Sequence, residues 1–91
     1  MRGLNLEKKN FLVTGVNSGL GKETARVLSL CNAHVYGTAK TMQLARDACG
    51  EIGAERATPM QCELTNPDSI RECIAMLKKK DIKLDGIIAN A

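Results

Sequence analysis

Asn10-Phe-Leu-Val-Thr14-Gly15-Val-Asn-Ser-Gly19-Leu-Gly21-Lys-Glu-Thr24 is the stretch on which the rest of the chain turns. A short apolar run, Phe11 to Val13, leads into three glycines, and a helical pattern starts straight after the last of them. Strand, glycine-rich turn and helix together make an anion cradle. Glycine accepts positive φ, and its missing Cβ lets an anion reach the backbone. The free N–H groups and positive dipole end of the following helix then hold that anion. The phosphate loop of nucleoside triphosphatases does not fit. That loop has four residues between its glycines and then Lys and Ser or Thr. Here five separate Gly15 from Gly21, and Glu23 follows Lys22.

Outward from this stretch the chain alternates. Strand one runs from about Asn10 to Thr14, and Ser18 caps a helix whose apolar face is Leu20, Thr24, Val27, Leu28 and Cys31. His34 to Ala39 reads as strand two. Thr41 caps a second helix with Met42, Ala45, Ala48, Cys49 and Ile52 inward, closed by Gly53. Ala57 to Leu64 reads as strand three; Pro59 cannot donate to a ladder, which assigns that strand to a sheet edge. Asn66-Pro67-Asp68 opens a third helix, with Ile70, Cys73, Ile74 and Leu77 recurring on one face to about Lys79. Leu84 to Ala91 reads as strand four.

The resulting β-α-β-α-β-α-β order implies an α/β fold: a partial doubly wound domain over residues 1–91, with about four parallel strands in the order 3-2-1-4 and helices on both faces. Such a chain builds one small domain. No apolar run is long enough to span a bilayer, and Lys8 and Lys9 leave no secretory apolar segment, so the expectation is a cytoplasmic protein without membrane contact. The net charge of +3 is mild, and Lys78-Lys79-Lys80 with Lys83 read as a solvated helix end. With Phe11 and Tyr36 the only aromatic residues, no nucleic-acid partner is expected. Cys31, Cys49, Cys62 and Cys73 form no C-x-x-C pair and read as small buried hydrophobes. His34 stands alone, so no metal site is expected.

Thr14-Gly15-Val-Asn-Ser-Gly19-Leu-Gly21 resembles the T-G-x-x-x-G-x-G signature of the short-chain dehydrogenase/reductase family. Asn32 to Lys40, Glu63-Leu64 ahead of Asn66-Pro-Asp-Ser69, and Leu84 to Ala91 resemble the family's second strand, its Asp-Leu segment and its L-D-x-L-x-N-N-A-G strand. Asn17 to Ala25 is similar, more loosely, to the branch containing retinol-dehydrogenase-like enzymes. The resemblance implies a dinucleotide cofactor. Gly15, Gly19 and Gly21 would border its pyrophosphate, with contacts from Asn17, Ser18 and Leu20. Glu63 and Leu64 would lie by the adenine, and Asn90 and Ala91 by the adenosine ribose. At the position about twenty residues past the glycines, where an acid selects the 2′-hydroxyl of NAD, stand Ala39 and then Lys40. NADP(H) is therefore expected over NAD(H).

The sequence departs from the family in three ways. Residue 91 falls before the motif's last glycine, and neither the catalytic Ser nor the Tyr-x-x-x-Lys pair has a counterpart, so no catalytic residue is assigned. Tyr36 with Lys40 has the spacing but lies on a strand and its exit rather than on a helix. The expected function is the cofactor-binding portion of an oxidoreductase that moves hydride between NADP(H) and a carbonyl or alcohol. A non-catalytic dinucleotide-binding module and a truncated product without function stay open as alternatives. With Ile87-Ile88 flanked by few charges, the isolated chain is expected to self-associate through strand four or the uncovered face of the sheet, or to be partly unfolded.

Overall fold

The structure is a computed structural model that describes residues 5–89; Asn90 and Ala91, both expected at the cofactor, lie outside the described residues. Seven elements follow in alternation: β1 (Asn10–Val13), α1 (Gly19–Leu30), β2 (His34–Ala39), α2 (Met42–Ile52), β3 (Ala57–Gln61), α3 (Pro67–Lys79) and β4 (Gly86–Ile88). The strands form one parallel sheet in the order β3-β2-β1-β4. Pro59 sits opposite Gly37 of β2, on the outermost strand of the sheet, where its missing N–H costs no ladder bond.

Successive strand residues face opposite sides, and two clusters follow from that alternation. Val13, Val35 and Ala39 gather with Ala25 of α1 and with Ala45, Ala48 and Cys49 of α2. The alternate positions Tyr36, Met60 and Cys62 gather with Cys73 and Leu77 of α3. Two helices therefore cover one face and one helix the other. Each helix start is capped as its residues require: Ser18 Oγ accepts from Gly21 N–H at 3.0 Å, Thr41 Oγ1 from Leu44 N–H at 3.2 Å, and Asn66 Oδ1 from Asp68 N–H at 3.0 Å.

Several expectations need correction. The inner face of α1 is Gly21, Ala25 and Ser29, with Leu28 only partly buried, while Leu20 is 71% exposed. The glycine turn presses this helix so close to the sheet that only small residues fit beneath it. Strand three stops at Gln61 rather than Leu64. Its partner β2 ends at Ala39, whose carbonyl accepts the last ladder bond from Cys62 N–H at 2.9 Å, and Ser69 Oγ then takes Glu63 N–H at 2.8 Å. Strand four is shorter than Leu84 to Ala91 and strand one ends at Val13, because β1 offers only Phe11 to Val13 for pairing with Gly86 to Ile88. On α3, Cys73 and Leu77 are buried as the periodicity predicts, whereas Ile74 is 46% exposed.

Candidate functional site: a glycine-lined cleft at the strand ends

Beyond Val13 the chain turns at Gly15, whose φ of 62° is left-handed. Val16 then plugs into the core, fully buried, and its N–H donates to Thr38 O at 2.9 Å. That bond ties the loop to the end of β2. Ser18 closes the loop on itself: its N–H and its hydroxyl both donate to Gly15 O, at 3.0 and 2.7 Å.

The three glycines have three separate reasons to be glycine. Gly15 makes the turn. Gly21 allows close approach, since a Cβ there would lie 2.1 Å from Gly15 O. Gly19 needs neither: a Cβ on it would meet nothing within 4 Å, and its φ is not left-handed. Gly19 is also the first residue of α1, and neither its N–H nor that of Leu20 has a hydrogen-bond partner among the described residues. The space a Gly19 side chain would take is thus open, at the positive end of a helix of 12 residues.

Beside this cradle is a cleft of about 180 Å³ lined by Gly15, Asn17, Ala39, Lys40, Cys62, Glu63 and Leu64. The parallel register that sets Ala39 against Gln61 delivers Lys40 and Glu63 to the same end of the sheet. Lys40 Nζ stands 3.8 Å from Glu63 Oε2, the lysine largely exposed and the carboxylate three-quarters buried. The other carboxylate oxygen accepts from Thr65 Oγ1 at 3.0 Å. Gln61 Nε2 donates to Lys40 O at 3.0 Å and steadies the turn after β2.

Of the residues expected at the cofactor, Gly15, Asn17, Lys40, Glu63 and Leu64 converge on the cleft. Ser18 and Gly21 act inside the loop, by capping and by close packing. Gly19 and Leu20 open α1 next to the cleft and do not line it. The sequence reading missed Val16 and Ser69, which hold the loop and the Glu63 backbone in place. Val16 stands one residue past a turn glycine as the only apolar residue before the cap, a pattern that could have marked it as a plug. Ser69, six residues beyond Glu63, carried no such signal. Tyr36 lies in β2 with its ring 4.8 Å from that of His34, and burial raises the pKa of its hydroxyl. That is the wrong direction for a tyrosine used as a general base. Among the described residues no group of three or more His, Cys, Asp or Glu side chains is placed to hold a metal ion.

The family model for short chain dehydrogenase matches residues 9–91. Short-chain dehydrogenase reductase 3c of Arabidopsis thaliana is 31% identical over all of this chain, which covers 35% of that protein. The WW domain-containing oxidoreductase of Danio rerio is 32% identical over 95 residues, spanning all of this chain and 23% of that protein. A short-chain type dehydrogenase/reductase from Mycobacterium marinum superposes with a TM-score of 0.86 at 27% identity, over 97% of this chain and 36% of that one. The chain thus spans about a third or less of the length of these proteins.

Proposed function

The chain belongs to the short-chain dehydrogenase family, and on that footing we propose that its cleft holds the adenosine and pyrophosphate portion of NADP(H) for an oxidoreductase acting on a carbonyl or alcohol. One observation carries the reading: Gly19 opens onto free space and unpaired helix N–H groups, with no packing reason to be glycine. The pyrophosphate would sit there, on Gly19 and Leu20 N–H, with Asn17 at the rim. The adenine would lie against Leu64 and the backbone of Glu63, with Asn90 and Ala91 by its ribose. When bound, the nicotinamide supplies or accepts the hydride. The residues of this chain bind and orient the other end of the cofactor.

Lys40 favours the 2′-phosphate form. It occupies the exit of β2 where an acid would select NAD, and its long contact to Glu63 leaves the ammonium free to swing toward a phosphate. Titration calorimetry tests the assignment. NADPH binds more tightly than NADH, and Lys40→Ala weakens NADPH by about tenfold or more, as loss of a charge-assisted contact does, while NADH is little changed. Tighter NADH, or NADPH binding indifferent to Lys40→Ala, contradicts it.

The location of Tyr36, on β2 with a raised pKa, favours a second reading for the 91 residues by themselves: a dinucleotide-binding module without hydride transfer. With carbonyl or alcohol substrates this chain produces no change in nicotinamide absorbance above background; turnover that survives repurification refutes that reading. We place the protein in the cytoplasm, without a nucleic-acid partner, and infer that copies associate along β4. That strand is paired only with β1 among the described residues, and its Ile87 is 64% exposed. Among the described residues no helix is long and apolar enough to cross a membrane.

A further inference from the structure

Among the described residues that line the cleft, Lys40 and Glu63 carry the charges, and the charges are opposite. The two side chains are held very differently. The Glu63 N–H donates to Oγ of the buried Ser69 at 2.8 Å, and its carbonyl accepts from Asn66 N–H at 3.0 Å. Its Oε1 accepts from Thr65 Oγ1 at 3.0 Å, so backbone and carboxylate are both tied down. Lys40 is held at its carbonyl by Gln61 Nε2, while its side chain is 76% exposed against 25% for Glu63. The 3.8 Å between Lys40 Nζ and Glu63 Oε2 is too long for a hydrogen bond. The carboxylate therefore attracts the ammonium without fixing its direction. A stationary acid faces a mobile base.

On the reading that the cleft takes NADP(H) through Lys40, we propose that Glu63 is a specificity-determining residue that competes with the 2′-phosphate for Lys40 and so holds down the preference for NADP(H) over NAD(H). To engage the phosphate, the ammonium leaves the carboxylate or is shared with it. A phosphate oxygen hydrogen-bonded to Lys40 where it now stands lies within about 7 Å of Glu63 Oε2, inside the Debye length of about 8 Å at physiological ionic strength. A phosphate monoester carries about −1.5 to −2 charges at pH 7, so the carboxylate also repels it. NADH presents a neutral 2′-hydroxyl at that place and meets neither penalty. Any contact of Glu63 with the adenine is common to both cofactors and cancels in the ratio of their affinities. Because the lysine is largely exposed, the competition amounts to a few-fold in affinity rather than an all-or-none switch.

The test is calorimetric titration with NADPH and NADH of four forms of the 91-residue chain: unsubstituted, Glu63→Gln, Lys40→Ala and the double variant. Glutamine keeps the shape of the side chain and still accepts from Thr65 Oγ1, and Glu63→Ala is the second variant, expected to act in the same direction. Glu63→Gln raises the ratio of NADPH to NADH affinity by about threefold or more at an ionic strength of about 0.01 M. The gain shrinks in the Lys40→Ala background, and it shrinks again in about 1 M salt, where the Debye length is about 3 Å. If NADPH fails to bind, or Lys40→Ala leaves the ratio unaltered, the cofactor reading itself fails and the competition with it. If Lys40→Ala lowers the ratio while Glu63→Gln leaves it unaltered or lowers it, the reading stands and the competition is overturned. A gain of the same size with and without Lys40, or at low and high salt, overturns it as well.

Discussion

The two faces of the sheet are built from the same strands, one residue out of step, and they differ in completeness. On the α1/α2 face, Val13, Val16, Val35, Ala25 and Ala45 are wholly buried. On the α3 face a single helix leaves the groove open, with Ile74 46% and Ile87 64% exposed. The glycine loop belongs to the first face: Val16 anchors it in that core, and a Cβ at Gly37 would lie 2.8 Å from a Val16 methyl. The cradle is thus held by the tightly packed side. The cleft wall at Glu63 and Leu64, with Cys62 and Cys73, belongs to the loosely packed one.

The comparison breaks most easily at Gly21. In Gly21→Ala the new methyl collides with backbone atoms of Gly15, which cannot yield without opening the loop. The expected loss is about 3 kcal/mol or more, enough to leave much of a domain this small unfolded by circular dichroism. Next in size is a matched pair. Val35→Ala on the sealed face costs about 2–3 kcal/mol in urea unfolding, whereas Ile87→Ser on the open face costs about 0.5 kcal/mol or less. Equal losses at the two positions would mean that the faces are equally packed in solution. Ile87→Lys sharpens the same contrast by sedimentation: it shifts the chain toward monomer with little change in stability, and an unaltered sedimentation profile argues against β4 as the contact.

The smallest effect is set by pH. His34 is partly buried, its Nε2 2.7 Å from Thr58 Oγ1, and burial lowers its pKa below the ordinary histidine value. Folding therefore favours the neutral ring, and the unfolded chain binds more protons as the solution is acidified. The stabilising contribution is complete above about pH 6.5 and is lost as pH falls through the lower folded value. The urea midpoint should fall slightly on acidification through this window, and His34→Gln should flatten that slope. An unchanged slope in the variant assigns the effect to other groups.

Much of this was legible in the chain itself. Ser18, Thr41 and Asn66 announced the three helix starts by cap chemistry, and Pro59 located the sheet edge by what it cannot donate. The inner face of α1 was not legible, because periodicity favoured Leu20, Val27 and Leu28 while the turn geometry admits only Gly21, Ala25 and Ser29. Strand ends were hidden for a similar reason: β3 and β4 stop where their partners stop, not where their own residues lose strand character. Nor could local pattern show the Lys40–Glu63 pair, since its members come together only through the β2–β3 register.

The account rests on Gly19 being reserved for a ligand, and Gly19→Ala separates that role from folding. The added methyl meets nothing within 4 Å at the first position of α1, so the urea midpoint should hold or rise by the equivalent of about 0.4–1 kcal/mol. The same methyl stands where the pyrophosphate would approach, so NADPH affinity measured calorimetrically should fall by about tenfold or more. A variant that keeps both its stability and its NADPH affinity would contradict the assignment of this cleft.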